Sequence, residues 1–172
     1  MPGARCLPAA GIPGIGYDAG MGTRVRYRFD PHHPEVAAIC CSDGRYIRAL
    51  EEYLAARNID GHDLMALPGG AAQLCRESAS YTSVSVYTDA LDFLMRSHHT
   101  AHVVLAAHAD CGYYRSYFGR ADRSRQEDDL RRVASSLRDR MRGLRVEAVF
   151  ASPAPDDQGG GFVFEDVPLE GR

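Results

Sequence analysis

Two short stretches gather the side chains able to bind a metal, move protons or hold charge: Cys41-Ser42-Asp43-Gly44-Arg45 and His108-Ala109-Asp110-Cys111-Gly112. Each starts where an apolar run, 35–41 or 101–108, reads as a buried strand, and open α/β sheets place their ligand sites at the carboxyl ends of such strands. In the second stretch a His and a Cys three residues apart straddle a strand-to-helix turn, so both side chains can converge on one point. Cys111 would stand near a helix N-terminus, which favours the thiolate. Cys41, from a neighbouring strand, would complete three ligands. Two thiolates and an imidazole suit zinc, and three protein ligands leave the fourth tetrahedral position for water, as catalytic sites require. The competing reading makes Cys41 and Cys111 buried structural thiols and His108 a satisfied core histidine, the commoner fate of an arbitrary Cys and His pair.

The elements that must position these residues alternate along the chain. After the first strand, Ile47, Leu50, Leu54 and Ala55 recur at helical spacing to about Arg57, and a second short strand over 64–67 stops at Pro68-Gly69-Gly70. Val84, Val86, Ala90, Leu91, Leu94 and Met95 predict a helix, and 101–108 is the strongest strand. Leu130, Val133, Ala134, Leu137 and Met141 share one face of an amphipathic helix whose charge run reads as a solvated face, and strands at 146–151 and 162–167 follow. The expectation is a three-layer α/β fold: a mainly parallel four-stranded sheet plus an edge strand. Residues 1–34, rich in Gly and Pro and without periodicity, read as an arm before a single zinc-binding domain over 35–172. Alternate residues of a strand face apart, so Cys40 belongs to the core while Cys41, Asp43 and Arg45 can project to one side of an extended turn.

Composition removes whole classes of activity. The 172 residues include no lysine, so all twenty basic residues are arginine. Schiff-base, pyridoxal-phosphate and Walker-type phosphate-loop chemistry, which each need a lysine amine, are excluded in their usual form. A net charge of −3 with arginines spread along the chain argues against a nucleic-acid partner, and no apolar span or signal core argues for a membrane, so a cytoplasmic location is expected. Five cysteines at irregular spacing suit free thiols or metal ligands better than a disulfide framework.

The pattern Cys-x-Asp-x-Arg after the first strand and His-x-x-Cys-Gly after a later one resembles the beta-class carbonic anhydrases, and Gly161-Phe162-Val163-Phe164 resembles their last strand; the likeness runs over 35–167. The resemblance implies that Cys41, His108 and Cys111 bind Zn2+ and that Asp43 and Arg45 form the catalytic carboxylate–guanidinium pair. It implies a zinc lyase: the metal acidifies its water, the zinc-bound hydroxide attacks carbon dioxide, and bicarbonate leaves. Asp43 would orient that hydroxide while Arg45 keeps the carboxylate ionised. In part of the family the Asp instead takes the fourth metal position at rest. Homodimers or dimer multiples are also implied, with the small-molecule substrate as the other partner.

The chain departs from the family at Leu67-Pro68-Gly69-Gly70-Ala71, where an Arg-Asn-Ala-Gly segment is usual, and at Gly44, where Ser or Ala is usual. Gly69 and Gly70 would let backbone amides approach the substrate, and with Gly112 and Tyr113 they are the candidate substrate-binding residues. The departure keeps two alternatives in view: hydrolysis of another small electrophile such as carbonyl sulfide or carbon disulfide, and a non-catalytic zinc- or anion-binding homologue. Redox chemistry at vicinal Cys40 and Cys41 ranks below both. The histidine pairs His32-His33 and His98-His99, with His62 and His102, read as solvent-exposed.

Overall fold

Strands β3 (Val36–Cys41), β4 (Asp63–Leu67), β5 (His102–His108) and β6 (Arg145–Pro153) are built from apolar runs lacking polar alternation, and they pair in parallel. This computed structural model describes residues 16–17, 23–24, 31–155 and 161–169. The chain divides into units 1–32 and 33–172. In the first, β1 (Gly16–Tyr17) pairs antiparallel with β2 (Thr23–Arg24); the rest of the expected arm up to residue 30 lies outside the described residues.

In the second unit the strand order is β4-β3-β5-β6-β7, with β7 (Phe162–Asp166) antiparallel on β6. The expected four parallel strands and one edge strand are present. Helix α1 (Gly44–Ala56) covers one face, its Leu50 and Leu54 packing with Ala38, Cys40, Val104, Ala106 and Val149. Helices α2 (Tyr81–Ser97) and α4 (Arg123–Arg140) cover the other, where Leu91, Leu130, Val133 and Leu137 meet Ile39, Leu105 and Ala148. A 3-10 turn (Gly70–Leu74) follows β4, and α3 (Gly112–Phe118) follows β5.

The order has a functional consequence. From β3 the chain steps outward to β4, then returns to place β5 on the other flank of β3, so the direction of winding reverses between β3 and β5. The carboxyl ends of two strands diverging in this way leave a crevice where doubly wound sheets bind ligands. Cys41 ends β3 and His108 ends β5.

Local chemistry moves two expected boundaries. Helix α1 begins at Gly44, three residues before the apolar periodicity, because the extended Asp43 caps it and accepts a hydrogen bond from the Arg45 amide at 3.1 Å. The 43–45 segment is thus a cap and first turn, which corrects the extended turn expected there. The charge run of α4 is not wholly a solvated face either: Gln126 and Asp129 are buried within it. Among the described residues no helix is long and apolar enough to cross a membrane.

Candidate metal centre

Cys41, His108 and Cys111 converge at the reversal point, all three buried, with one ligand atom from each lying within 4.8 Å of the others. The Cys41 and Cys111 sulfurs are 3.8 Å apart. After β5 the backbone turns through Asp110, whose φ of +58° is a left-handed conformation that Asp tolerates better than most residues, and this returns Cys111 toward the strand end. Cys111 is the N-cap of α3.

The orientation of His108 follows from its neighbours. Its Nδ1 lies 2.8 Å from the Ala109 carbonyl oxygen, which can only accept, so Nδ1 carries the hydrogen. Nε2 is then the lone-pair nitrogen, and it is buried with no hydrogen-bond partner. A buried acceptor left unfilled is costly unless an electrophile completes it. The Tyr46 ring stacks on the imidazole at 3.8 Å between centroids, and its hydroxyl donates to the same Ala109 oxygen at 3.1 Å. Ring and carbonyl together fix the imidazole plane.

The two sulfurs are within hydrogen-bonding distance of each other. Hydrogen bonding from the Cys111 thiol lowers Cys41 well below the ordinary thiol range despite its burial, and the backbone amides of Gly69 and Asp43 also favour its thiolate. Cys111 is pushed up in turn by Cys41 and by burial, against the pull of the Tyr113 and Tyr114 amides. Cys40 points to the α1 face, where burial raises it to about 12 and keeps it a core thiol.

Asp43 and Arg45 form a two-pronged pair. Arg45 Nε donates to Asp43 Oδ1 at 3.0 Å and its terminal nitrogen to Oδ2 at 2.6 Å, and this bonding holds the Asp43 carboxyl at about 2. Arg45 is exposed and Asp43 half-buried. The Asp43 backbone amide also faces the Cys41 sulfur, and the charge of His108 adds to the lowering of the Asp43 carboxyl.

The structure gives the 68–70 departure a steric meaning. Gly69 has φ +83°, and a Cβ there would lie 2.7 Å from Tyr113 Cγ; the tyrosine ring fills the space that a side chain at 69 would take. Tyr113 is held by donating to the Ser78 carbonyl at 2.7 Å and by stacking on Tyr117 at 4.4 Å. Gly70, φ +57°, runs against the β3 backbone, where a Cβ would meet Cys40 C and Cys41 N at 3.0 Å. Gly112, exposed at the start of α3, has open space around it. These four residues do not line the small, mainly apolar pocket beside the cluster, which is walled by Tyr46, Leu50, Ala106, His108, Ala151 and Phe164.

The model of a family described as "Putative carbonic anhydrase" matches residues 32–155, most of the chain and both motifs. The chain belongs to this carbonic anhydrase family. The expectation of a divergent member is thereby borne out, as is the α/β fold. No curated protein matches the chain in sequence. Among solved structures, the chain is similar to a beta-carbonic anhydrase of the fungal pathogen Aspergillus fumigatus at 14% identity and a TM-score of 0.48, covering 81% of this chain and 78% of that one. It is similar to the tetrameric beta-carbonic anhydrases of the filamentous ascomycete Sordaria macrospora at 14% identity and 0.48, covering 80% and 82%. A carbonic anhydrase of Streptococcus mutans gives 15% identity and 0.49, covering 80% and 83%.

Tyr46 is a site residue that the sequence motifs do not single out; its place in the first turn of the helix that starts beside Cys41 is the signal that it could reach the site. His98, read as exposed, is half-buried, bonded through Nδ1 to Asp63 Oδ2 at 2.7 Å and stacked on His33. His62 and His102 are also half-buried.

Proposed function

We propose that the protein is a zinc-dependent carbonic anhydrase catalysing the reversible hydration of carbon dioxide to bicarbonate. The observation carrying this reading is the buried Cys41–His108–Cys111 cluster, with an unpartnered His108 nitrogen aimed into it, in a chain of the carbonic anhydrase family. The donor set fits zinc: two bonds of about 2.3 Å at a tetrahedral angle separate sulfurs by about 3.8 Å, and the sulfurs here are 3.8 Å apart. Two thiolates and one imidazole hold such an ion and leave one position open.

Bound there, zinc supplies Lewis acidity that makes water nucleophilic near neutral pH. The chain's own residues do the rest. Asp43, ionised throughout the working range, accepts a hydrogen bond from the attacking water and orients it. Arg45 fixes both carboxylate oxygens, so Asp43 neither rotates nor protonates. Tyr46 and the Ala109 carbonyl lock the His108 ring, and the apolar pocket beside it suits a small linear, uncharged molecule. Gly69 and Tyr113, whose backbone amides face the cysteine sulfurs, stay within the proposal with Gly70 and Gly112 as substrate-binding residues outside that pocket. So do the 35–172 zinc domain behind a 1–34 arm, a homodimer or dimer multiple and a cytoplasmic location.

The test is stopped-flow carbon dioxide hydration on protein of measured zinc content, with Asp43→Asn alongside. Zinc-dependent catalysis that the substitution lowers by about 100-fold, the scale of a lost proton-handling group, is expected. Fully zinc-loaded protein that hydrates carbon dioxide no faster than buffer would overturn the assignment. Turnover of carbonyl sulfide or carbon disulfide by that sample would then identify the small-electrophile hydrolase.

A further inference from the structure

Asp129, in the middle of α4, contacts none of the three candidate ligands, yet it gathers the elements around them. It is wholly buried, and its Oδ2 accepts from Ser78 Oγ at 2.6 Å and from the Tyr114 hydroxyl at 2.8 Å. Its Oδ1 lies 3.3 Å from the Cys75 thiol, with the Arg132 guanidinium at 3.4 Å. A carboxyl group taken out of water is costly unless its lone pairs are filled, and an apolar residue of similar size would fill the space without that cost. Its contribution therefore lies in what it orients.

Tyr114 is what it orients toward the site. The Tyr114 ring is almost fully buried in a small cluster with Cys41, Ala72 and Cys111, and its backbone amide faces the Cys111 sulfur. Helix α3 has only seven residues, too few to be rigid by itself, so its first turn takes its position from such tethers. Cys75 and Ser78 tie the segment after the 3-10 turn, which carries no candidate ligand, to the same carboxyl group.

We infer that Asp129 is a positioning residue for the metal centre: through Tyr114 it pins the first turn of α3 and holds the Cys111 sulfur where it can share an ion with Cys41. The inference rests on the metal-centre reading, and the experiment separates the two. Zinc affinity of the full chain is measured by competition with a chromophoric chelator, and the cobalt(II) form reports the thiolate-to-metal absorption. Tyr114→Phe removes only the hydroxyl on the ligand-bearing helix. Ser78→Ala removes the other hydroxyl bonded to the same oxygen, from a segment that carries no ligand.

Tyr114→Phe is expected to weaken zinc binding by about 10-fold and to alter the cobalt absorption. Ser78→Ala should lower the urea midpoint while leaving affinity and spectrum at wild-type values. Should Tyr114→Phe not fold, Asp129→Asn, which keeps the volume of the side chain, takes its place in the comparison. Equal effects of the two substitutions on the metal, or none from Tyr114→Phe, would show Asp129 to be structural only and overturn the inference. A wild-type chain that takes up neither zinc nor cobalt overturns the metal-centre reading itself.

Discussion

Replacing Gly69 by alanine should cost stability in two separable parts. The first is backbone: φ is +83°, and an L residue held in a left-handed conformation costs roughly 1–2 kcal/mol. The second is steric, because the new methyl would sit 2.7 Å from Tyr113 Cγ. That ring cannot swing aside freely, being fixed at one end by the hydroxyl bond to the Ser78 carbonyl and on one face by Tyr117. Overpacking of this kind costs about 1–3 kcal/mol, so Gly69→Ala should lose about 2–5 kcal/mol in all. A double-mutant cycle separates the parts. In the Tyr113→Ala background the steric part vanishes and the backbone part persists, giving a coupling of about 1–3 kcal/mol. Urea unfolding of all four proteins, with chelator present to remove metal effects, supplies the free energies. Additivity of the two substitutions, or a Gly69→Ala loss below about 0.5 kcal/mol, would refute the claim that the tyrosine occupies the absent side chain's place.

Two further outcomes follow from geometry already described. Cys41 and Cys111 should resist a thiol reagent in the zinc-loaded protein and react once a strong chelator is added, and the melting temperature should fall with the metal; thiols equally protected in both states would contradict a metal-held pair. For His102, burial depresses the folded-state value below 6.5, so the unfolded chain binds the proton better. Its effect on stability is therefore absent well above that value and grows unfavourable as pH falls through and below 6.5. In metal-free protein, His102→Gln should flatten the stability slope just below pH 6.5, and an unchanged slope would refute it.

What could be read in the sequence was whatever depends on a residue's own strand or turn. The apolar runs over 35–41 and 101–108 announced strands buried on both faces, and strand alternation separated Cys41 from Cys40, which packs against α1. The reversal of winding followed from neither run alone, yet both motifs lay at strand ends, where it matters. Pairings between distant segments stayed hidden. Gly69 read as a lost side chain because its compensating ring stands at 113, on another element. Asp129 was indistinguishable from the charged residues around it, since only the tertiary arrangement brings Ser78, Cys75 and Tyr114 to it. His98 gained its partner, Asp63, in the same manner.

The cysteine pair joins chain positions 41 and 111, which lie 70 residues apart. An ion held between them would turn the chain topologically into a ring with two tails. The ring contains α1, β4, the 3-10 turn, α2 and β5; the tail after it contains α3, α4, β6 and β7. By the loop-closure relation for cross-links, a ring of that size restricts the unfolded chain by about 4 kcal/mol for as long as the ion stays attached. Thermal unfolding of a metal-loaded molecule would then have two routes, one in which the tail detaches from a closed ring and one in which the ring opens by losing its ion. The metal's concentration in solution, and not temperature alone, would choose between them.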